Sequence, residues 1–330
     1  MFPHRDVFDL VSRHLEHHDI VTLRLTCKGN DYNTSMIKTV TIKPGYPKFD
    51  MNKEFPKLER LIIHQTIPSM MCKLKELHLH KCQLKHKHLT MLDDIKIIKM
   101  VQCSYSGIMH VGEMFKNVEE ITISRCTLGG LECDTGDKIQ KLEIQGVPVG
   151  VLNIGHALKT LILESLCVEF TDSNDDNNIE HVRLKSLYGV YQPFRIPRFN
   201  SCVRMEIEKC EVSHANIYIP RTVDYLSLVH VYPNQWIFPC MFGMFAKEVS
   251  IIGCSSSVAN YASGTKVTIA NTDVVNLDRH CDVKDLTLIN IGMIQHVEAI
   301  DDADEVKFYM SRYDGSRINS KVFMIDGMTQ

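Results

Sequence analysis

The chain has 330 residues, of which 44% are hydrophobic and 23% are charged, and its formal net charge is -3. This near balance gives no global electrostatic reason to bind nucleic acid or an anionic membrane, so we expect a protein partner. No stretch predicts a membrane span, and charged residues interrupt the first thirty positions, where a signal peptide needs an apolar core. We therefore expect an intracellular protein, cytoplasmic and/or nuclear, whose 12 cysteines are reduced thiols.

Residues 1–36 predict two short helices. The apolar residues that recur at helical spacing are Val7, Leu10, Val11 and Leu15 in the first helix and Ile20, Leu23 and Cys27 in the second. Asp19 is a suitable N-cap for the second helix, and Gly29 with Asn30 ends it. The chain thus begins with a small helical segment.

This segment resembles an F-box. The resemblance is carried by Phe2-Pro3, by the Val-Phe-x-Leu-Val run from Val7, and by the run from Leu23 to Lys28. Asn30 stands where F-boxes commonly have a tryptophan. The resemblance implies docking on a Skp-family adaptor, and hence on a cullin RING ligase core, through Phe2, Pro3, Val7, Leu10, Val11, Leu15, Ile20, Leu23 and Leu25. The alternative is a helical cap that covers the first repeat and binds no adaptor.

Residues 37–311 contain an internal repeat, written as apolar-x-x-apolar-x-apolar-x-x-Cys/apolar. Fourteen copies begin at residues 37, 58, 74, 95, 118, 139, 158, 179, 202, 223, 246, 264, 283 and 303, with separations of 16 to 23 residues. The copies at Ala246 and Gly264 are the weakest. Residues 312–330 follow the last copy as a cap or tail.

The repeat resembles the leucine-rich-repeat family. It implies an α/β solenoid, a horseshoe with a parallel β-sheet on its concave face and an irregular convex side. Positions four and six of each copy should point inward and positions three, five and seven outward, because side chains alternate along a strand. Cysteine recurs at position nine, as Cys82, Cys103, Cys126, Cys210 and Cys254. A buried thiol there is a small hydrophobe with a weak donor, so the pattern favours a structural role.

The outward positions supply the candidate partner surface on the concave face. Its residues are His64, His78, His80, Lys99, Glu143, Glu164, Arg183, Lys185, Glu206, Glu208, Tyr225, Lys307 and Tyr309. Their charges are banded by sign along the repeats, and this banding could select a charged partner. A merely solvated sheet face is the equally weighted alternative.

Three other patterns in the sequence approach known metal-binding or catalytic motifs without matching them. The histidines from His78 to His88 lack the spacing of structural zinc sites. The acidic run 172–178 lacks the glycine and the glutamate of a calcium loop, because Asn177 and Arg183 occupy those places. Gly129-Gly130 is the nearest approach to a phosphate-binding or nucleophile-bearing loop, and it matches neither. We therefore expect no metal, no cofactor and no catalytic residue.

Taken together, these patterns predict a non-enzymatic substrate-recognition subunit of a cullin RING (SCF-type) ubiquitin ligase. The F-box-like segment would bind the adaptor, and the repeats would bind a protein substrate. The alternative is a standalone leucine-rich-repeat scaffold whose N-terminal helices only cap the solenoid.

Overall fold

The structure, a computed structural model, describes residues 38–43, 55, 57–65, 67, 74–89, 95–171, 177–188, 199–210, 220, 222–231, 245–259, 264–276, 283–296, 303–309, 311 and 322–325. The chain divides into two compact units, Met1–Val149 and Gly150–Gln330, called the N-terminal and the C-terminal unit below. The predicted F-box-like segment, with all nine predicted adaptor-binding residues, lies outside the described residues.

The N-terminal unit is a parallel β-solenoid. Its main sheet contains β1 (Thr39–Ile42), β2 (Arg60–His64), β3 (Glu76–His80), β4 (Ile97–Val101), β6 (Glu120–Ser124) and β8 (Lys141–Gln145), paired in that order. A second parallel pair joins β5 (Ser104–His110) to β7 (Thr127–Asp134). One further strand, β9 (Val149–Asn153), spans the boundary between the units.

The C-terminal unit continues the same construction with nine parallel strands, each paired with the next. They are β10 (Thr160–Phe170), β11 (Asn178–Tyr188), β12 (Ser201–Glu208), β13 (Thr222–Val229), β14 (Phe245–Ile252), β15 (Gly264–Asn276), β16 (Asp285–Gln295), β17 (Glu305–Tyr309) and β18 (Val322–Ile325). The last of these lies in the segment predicted as a cap or tail, so the sheet extends beyond the fourteen predicted copies.

The strand register confirms the predicted repeat. Position four of each copy pairs with position four of the next, through Val40, Leu61, Leu77, Ile98, Ile121 and Leu142 in one unit. In the other unit the same positions are Leu161, Val182, Met205, Leu226, Val249, Val267, Leu286 and Val306. These side chains are buried, as are those at position six, so each copy covers the apolar edge of its neighbour.

The weak copy at Gly264 has a steric reason for its glycine. A Cβ at this position would lie 2.9 Å from the carbonyl oxygen of Ala246 and 2.9 Å from Cγ2 of Val249. The small residues at both copy starts therefore allow β14 and β15 to pack closely at this point.

Wherever position eight is described, in the copies that begin at residues 58 to 283, it is a corner with left-handed backbone. The residues are Gln65, Lys81, Gln102, Arg125 and Gly146 in the N-terminal unit, and Ser165, Ser186, Lys209, His230, Gly253, Asn271 and Asn290 in the C-terminal unit, all with φ between 50° and 69°. The corner amide donates to the position-seven carbonyl of the next copy, as from Lys81 to Val101 at 2.9 Å. Inter-repeat hydrogen bonds thus hold the chain in a conformation that non-glycine residues rarely adopt.

Position nine follows the corner and, from Cys82 to Ser311, points inward as predicted. The Cys103 thiol lies 3.3 Å from the carbonyl oxygen of Leu79, and the Cys103 amide donates to the sulfur of Cys126 at 3.4 Å. The Cys210 and Cys254 thiols contact the equivalent position-six carbonyls of the preceding copies at 3.6 and 3.5 Å. Ser311 occupies the same position with a hydroxyl that accepts from the Ile291 amide at 3.1 Å. The cysteines are free thiols with a structural role.

The expected α/β character is not found in the described residues, which are mostly strand. Their helices are α1 (His86–Leu89), α2 (Val111–Met114) and α3 (Ser256–Ala259), four residues each. In the copies at 95 and 118, strands β5 and β7 occupy the place where we expected an irregular connection. Repeats this short leave room after the corner for a second extended segment and no room for a full helix.

The Gly129-Gly130 pair has a packing role in this second sheet. Both residues lie in β7, where a Cβ on Gly129 would collide with the Ser106 carbonyl oxygen and one on Gly130 would lie 3.2 Å from Cγ1 of Ile108. Glycine here permits close approach of β5, which explains the pair without any phosphate-binding loop.

Candidate binding surface

The side chains at positions three, five and seven of the repeats lie together on one side of each main sheet, which we call the outer face. All thirteen predicted partner-binding residues lie on it, half-buried except for Arg183, which is exposed. His64, His78, His80, Lys99 and Glu143 belong to the N-terminal unit, and the other eight belong to the C-terminal unit.

Two of the predicted histidines stack on each other. His64 and His80 occupy position seven of adjacent strands β2 and β3, and their ring centroids are 4.8 Å apart with an interplanar angle of 14°. Burial, together with the neighbouring His64 and His78, lowers the pKa of His80. The lowered pKa favours the neutral form of His80, and the two stacked rings form an aromatic patch on the outer face.

The third histidine belongs to an ion cluster centred on Glu76. The Arg60 guanidinium contacts Oε2 of Glu76 at 2.5 Å, and Nε2 of His78 lies 2.6 Å from Oε1. Burial opposes ionisation of Glu76, but the hydrogen bonds from Arg60 and His78 lower its pKa overall. Burial lowers the pKa of His78 against the opposing effect of Glu76. The carboxylate is thus ionised and held by two partners.

A similar cluster is centred on Glu206 in the C-terminal unit. Arg204 donates twice to Oε1, at 3.0 and 2.6 Å, while His181 lies 3.4 Å and Arg183 3.9 Å from Oε2. Burial opposes ionisation here too, and hydrogen bonds from Arg204 and His181 lower the pKa of Glu206. The Arg204 guanidinium also lies over the Tyr225 ring, 4.3 Å from its centroid.

The remaining predicted charges of this region are paired with one another. Lys185 lies between Glu164, at 4.0 Å, and Glu208, at 3.1 Å. The bands of opposite sign seen along the sequence are therefore neighbours across the sheet, and each neutralises the next. This pairing reduces the field that the bands could project onto a charged partner.

Four residues of these clusters were missed by the sequence reasoning, namely Arg60, Glu76, His181 and Arg204. All four occupy position three of their copies, so the repeat register already contained the signal. A second feature is apolar, and the sequence predicted only one of its residues, Tyr309. In the C-terminal unit, position seven of β13 to β17 is Val229, Ile252, Ala270, Ile289 and Tyr309, which are in register with one another. We call these five residues the apolar row.

A groove of about 660 Å³ lies in the N-terminal unit beside α2. Its walls carry carboxylates of Glu113, Glu132 and Asp134, and His110 pairs with Glu132 at 3.1 Å. Gly112 permits the close packing of α2, since a Cβ there would lie 2.6 Å from the Asp134 carbonyl oxygen. The groove is acidic and open, and it contains none of the predicted surface residues.

Within the described ranges, no group of three or more histidine, cysteine, aspartate or glutamate residues is arranged to hold a metal ion. In the histidine-rich stretch after β3, Cys82 points inward with 1% exposure, so it is not available beside the exposed histidines. No helix among the described residues is long and apolar enough to cross a membrane.

Compared with protein-family models, with curated proteins and with solved structures, the chain has no significant match. A functional assignment must therefore rest on the repeat, its outer face and the N-terminal sequence.

Proposed function

We propose that this chain is a recognition subunit of an SCF-type cullin RING ubiquitin ligase. In this proposal the repeats are of the leucine-rich type, their outer face binds a protein substrate, and the F-box-like segment docks on a Skp-family adaptor. The chain itself makes and breaks no covalent bond, and ligation is performed by the rest of the complex.

The observation that carries the recognition role is the outer face. Position four pairs with position four through six strands of one unit and eight of the other, so positions three, five and seven repeat as straight rows. Such rows present side chains at a spacing of about 4.8 Å from a rigid sheet. Repeat proteins use surfaces of this kind to bind extended areas of a partner.

The adaptor half of the proposal is supported by the N-terminal sequence. Its apolar stripe would have to be available to the adaptor, whereas a cap would bury it against the first repeat. In the alternative, a standalone scaffold, the outer face still binds a partner, but the N-terminal helices contact only the solenoid.

Capture of a purified Skp-family adaptor by the full-length chain tests the adaptor half. The Leu10→Asp/Leu15→Asp double variant adds two carboxylates to the apolar stripe and should abolish capture. Ser12→Asp/Arg13→Gln is the matched control, because it changes the net charge by the same two units on the side of the predicted helix opposite that stripe and should capture normally. Circular dichroism checks that all proteins are folded. If the folded wild-type chain captures no adaptor, the ligase role is wrong and the scaffold takes its place.

A further inference from the structure

The apolar row is a continuous strip of the outer face whose five side chains are uncharged. Val229, Ile252, Ile289 and Tyr309 are half-buried, while the smaller Ala270 is 6% exposed and forms a dip between two isoleucines. Beside the row, position five carries small hydroxyl side chains on four consecutive strands, Ser227, Ser250, Thr268 and Thr287. An apolar strip that is bordered on four of its five strands by small hydroxyl groups is suited to bind a segment that is apolar along one side.

We propose that this surface binds an amphipathic α-helix of the protein partner, lying along the stacking direction across β13 to β17. The inference rests on the proposed recognition function and specifies the kind of segment recognised. The apolar stripe of the helix contacts the apolar row, and one of its larger side chains fills the dip at Ala270.

The spacing of the row favours a helix over an extended segment. Neighbouring strands are about 4.8 Å apart, and a helix advances about 5.4 Å per turn, so one apolar residue per turn drifts by about 0.6 Å per strand. An extended segment repeats the same side every 6.6 to 6.8 Å, a drift of about 1.9 Å per strand. Over the four steps of the row, the helix ends about 2.4 Å out of step, whereas the extended segment ends about 7.6 Å out of step, which is more than one strand spacing.

The size of the surface argues against a second copy of the chain. Five strands at about 4.8 Å, with about 13 Å between positions three and seven, give a footprint of roughly 300 Å². A stable dimer buries about 800 Å² on each partner, so this strip alone is too small. It matches one side of a helix of about four turns.

The charged residues at positions three and five determine which charge is favoured on the facing side of the bound helix. Positions three and five of these strands carry Glu248, Asp285 and Glu305 against Lys266 and Lys307. Lys266 pairs with Glu248 at 3.4 Å, and Lys307 pairs with Glu305 at 2.6 Å. Asp285 has no ion-pair partner among the described residues, which leaves one net negative charge. The bound helix should therefore carry a lysine or arginine on this flank.

A display library of random 18-residue peptides, selected on the full-length chain, tests the proposal. Selection is repeated against Ile252→Lys/Ile289→Lys, which places two charges in the row. Peptides enriched on the wild-type chain should have apolar residues at i, i+4, i+7 and i+11 and a basic flank. By fluorescence anisotropy, a selected peptide should bind this double variant at least tenfold more weakly, and Asp285→Asn should reduce binding by the basic-flanked peptides.

Val101→Lys/Thr122→Lys is the matched control, because it adds the same charges to the outer face of the N-terminal unit. It should bind the peptide as the wild-type chain does. If the lysine variant fails to fold, Ile252→Thr/Ile289→Thr replaces it, because threonine keeps the β-branched shape that suits a strand. This variant should weaken peptide binding several-fold. The proposal is overturned if no peptide is enriched, if apolar residues alternate with period two, or if the row variants bind normally. Adaptor capture and peptide binding are measured in separate experiments. If only the ligase role is wrong, adaptor capture fails and peptide binding is still observed.

Discussion

The imidazole ring of His230 lies directly over Gly253, which occupies the same corner position in the next copy. A Cβ on Gly253 would lie 2.5 Å from both Cε1 and Nδ1 of that ring, and its φ is +61°. Gly253→Ala should therefore destabilise the protein through both backbone strain and steric collision, by about 2–4 kcal/mol. Urea denaturation followed by circular dichroism measures the loss.

Gly146 provides the matched control for this collision. It is also a corner residue with φ +61°, but its added Cβ would meet only Arg125, at 3.7 Å from Cγ and 4.0 Å from Cα, which are ordinary van der Waals distances. Gly146→Ala should cost only the backbone term, about 1–2 kcal/mol. In addition, His230→Ala should recover part of the loss in Gly253→Ala, because it removes the colliding ring. Equal losses for the two glycine variants would contradict the steric explanation.

The thiol at position nine should be replaceable by a hydroxyl but not by a methyl group. Cys126 accepts from the Cys103 amide at 3.4 Å and lies 3.6 Å from the Met100 carbonyl oxygen. Cys126→Ala leaves the buried amide without a partner, which costs about 1–3 kcal/mol. Cys126→Ser should cost less, since Ser311 makes the equivalent contacts with a hydroxyl. Thermal denaturation of the two variants gives the comparison.

Cys133 should show the reverse order. It is 2% exposed, burial raises its pKa, and no hydrogen bond joins its thiol to another described residue. Cys133→Ser buries a hydroxyl without a partner, whereas Cys133→Ala leaves only a small cavity. The serine variant should therefore be the less stable of the two. If the serine variant were the less stable one at Cys126 as well, the hydrogen bonds of Cys126 would contribute nothing specific.

The repeat register could be predicted because burial repeats in the sequence. Inward positions need apolar side chains in every copy, so the spacing of Leu77, Leu79 and Cys82 recurs in the apolar residues of the other copies. The same register correctly separated outward residues from inward ones. It did not give their partners, because the pairing of Glu206 with Arg204 and His181 depends on how far the side chains reach along β12 and across to β11.

The corner at position eight could not be predicted from its residues. Left-handed backbone is usually marked by glycine, but most corners here carry residues such as Gln65, Lys81 and Arg125. Hydrogen bonds to the next copy impose the conformation, and local propensity does not reveal them. The second sheet could not be predicted for a similar reason, since glycine is uncommon in strands and only the close approach of β5 explains Gly129 and Gly130 in β7.

Glu206 should make stability depend on pH in the acidic range. Its pKa in the folded protein is below its ordinary value of 4.5, so its contribution is present above pH 4.5 and is lost as the pH falls through the lowered pKa. Glu206→Gln should reduce stability at pH 7 by about 0.5 kcal/mol and flatten the decline below pH 4.5. Urea denaturation at pH 7, 5, 4 and 3 measures both effects.

Glu180 is the control for this experiment, because it lies on the adjacent strand β11 and pairs with Lys159 at 3.7 Å, but its side chain is 65% exposed. Glu180→Gln should change stability at pH 7 by much less, since exposed pairs contribute little. A Glu206→Gln variant as stable as wild type at pH 7, with an unchanged decline in acid, would show that the cluster does not stabilise the fold.

The pKa of His78 should move in opposite directions when its two charged neighbours are removed. Burial holds this pKa below its ordinary value of 6.5, Glu76 raises it, and Lys99, the cross-strand neighbour on β4, lowers it. Glu76→Gln should therefore lower the pKa of His78 further, while Lys99→Met should raise it. NMR titration of the imidazole resonances measures both shifts, and His78→Gln assigns the signal. An indirect disturbance of the sheet would alter the burial of His78 in both variants, so pKa shifts of the same sign would contradict an electrostatic origin. Opposite shifts would show that these two charges act on His78 across the outer face.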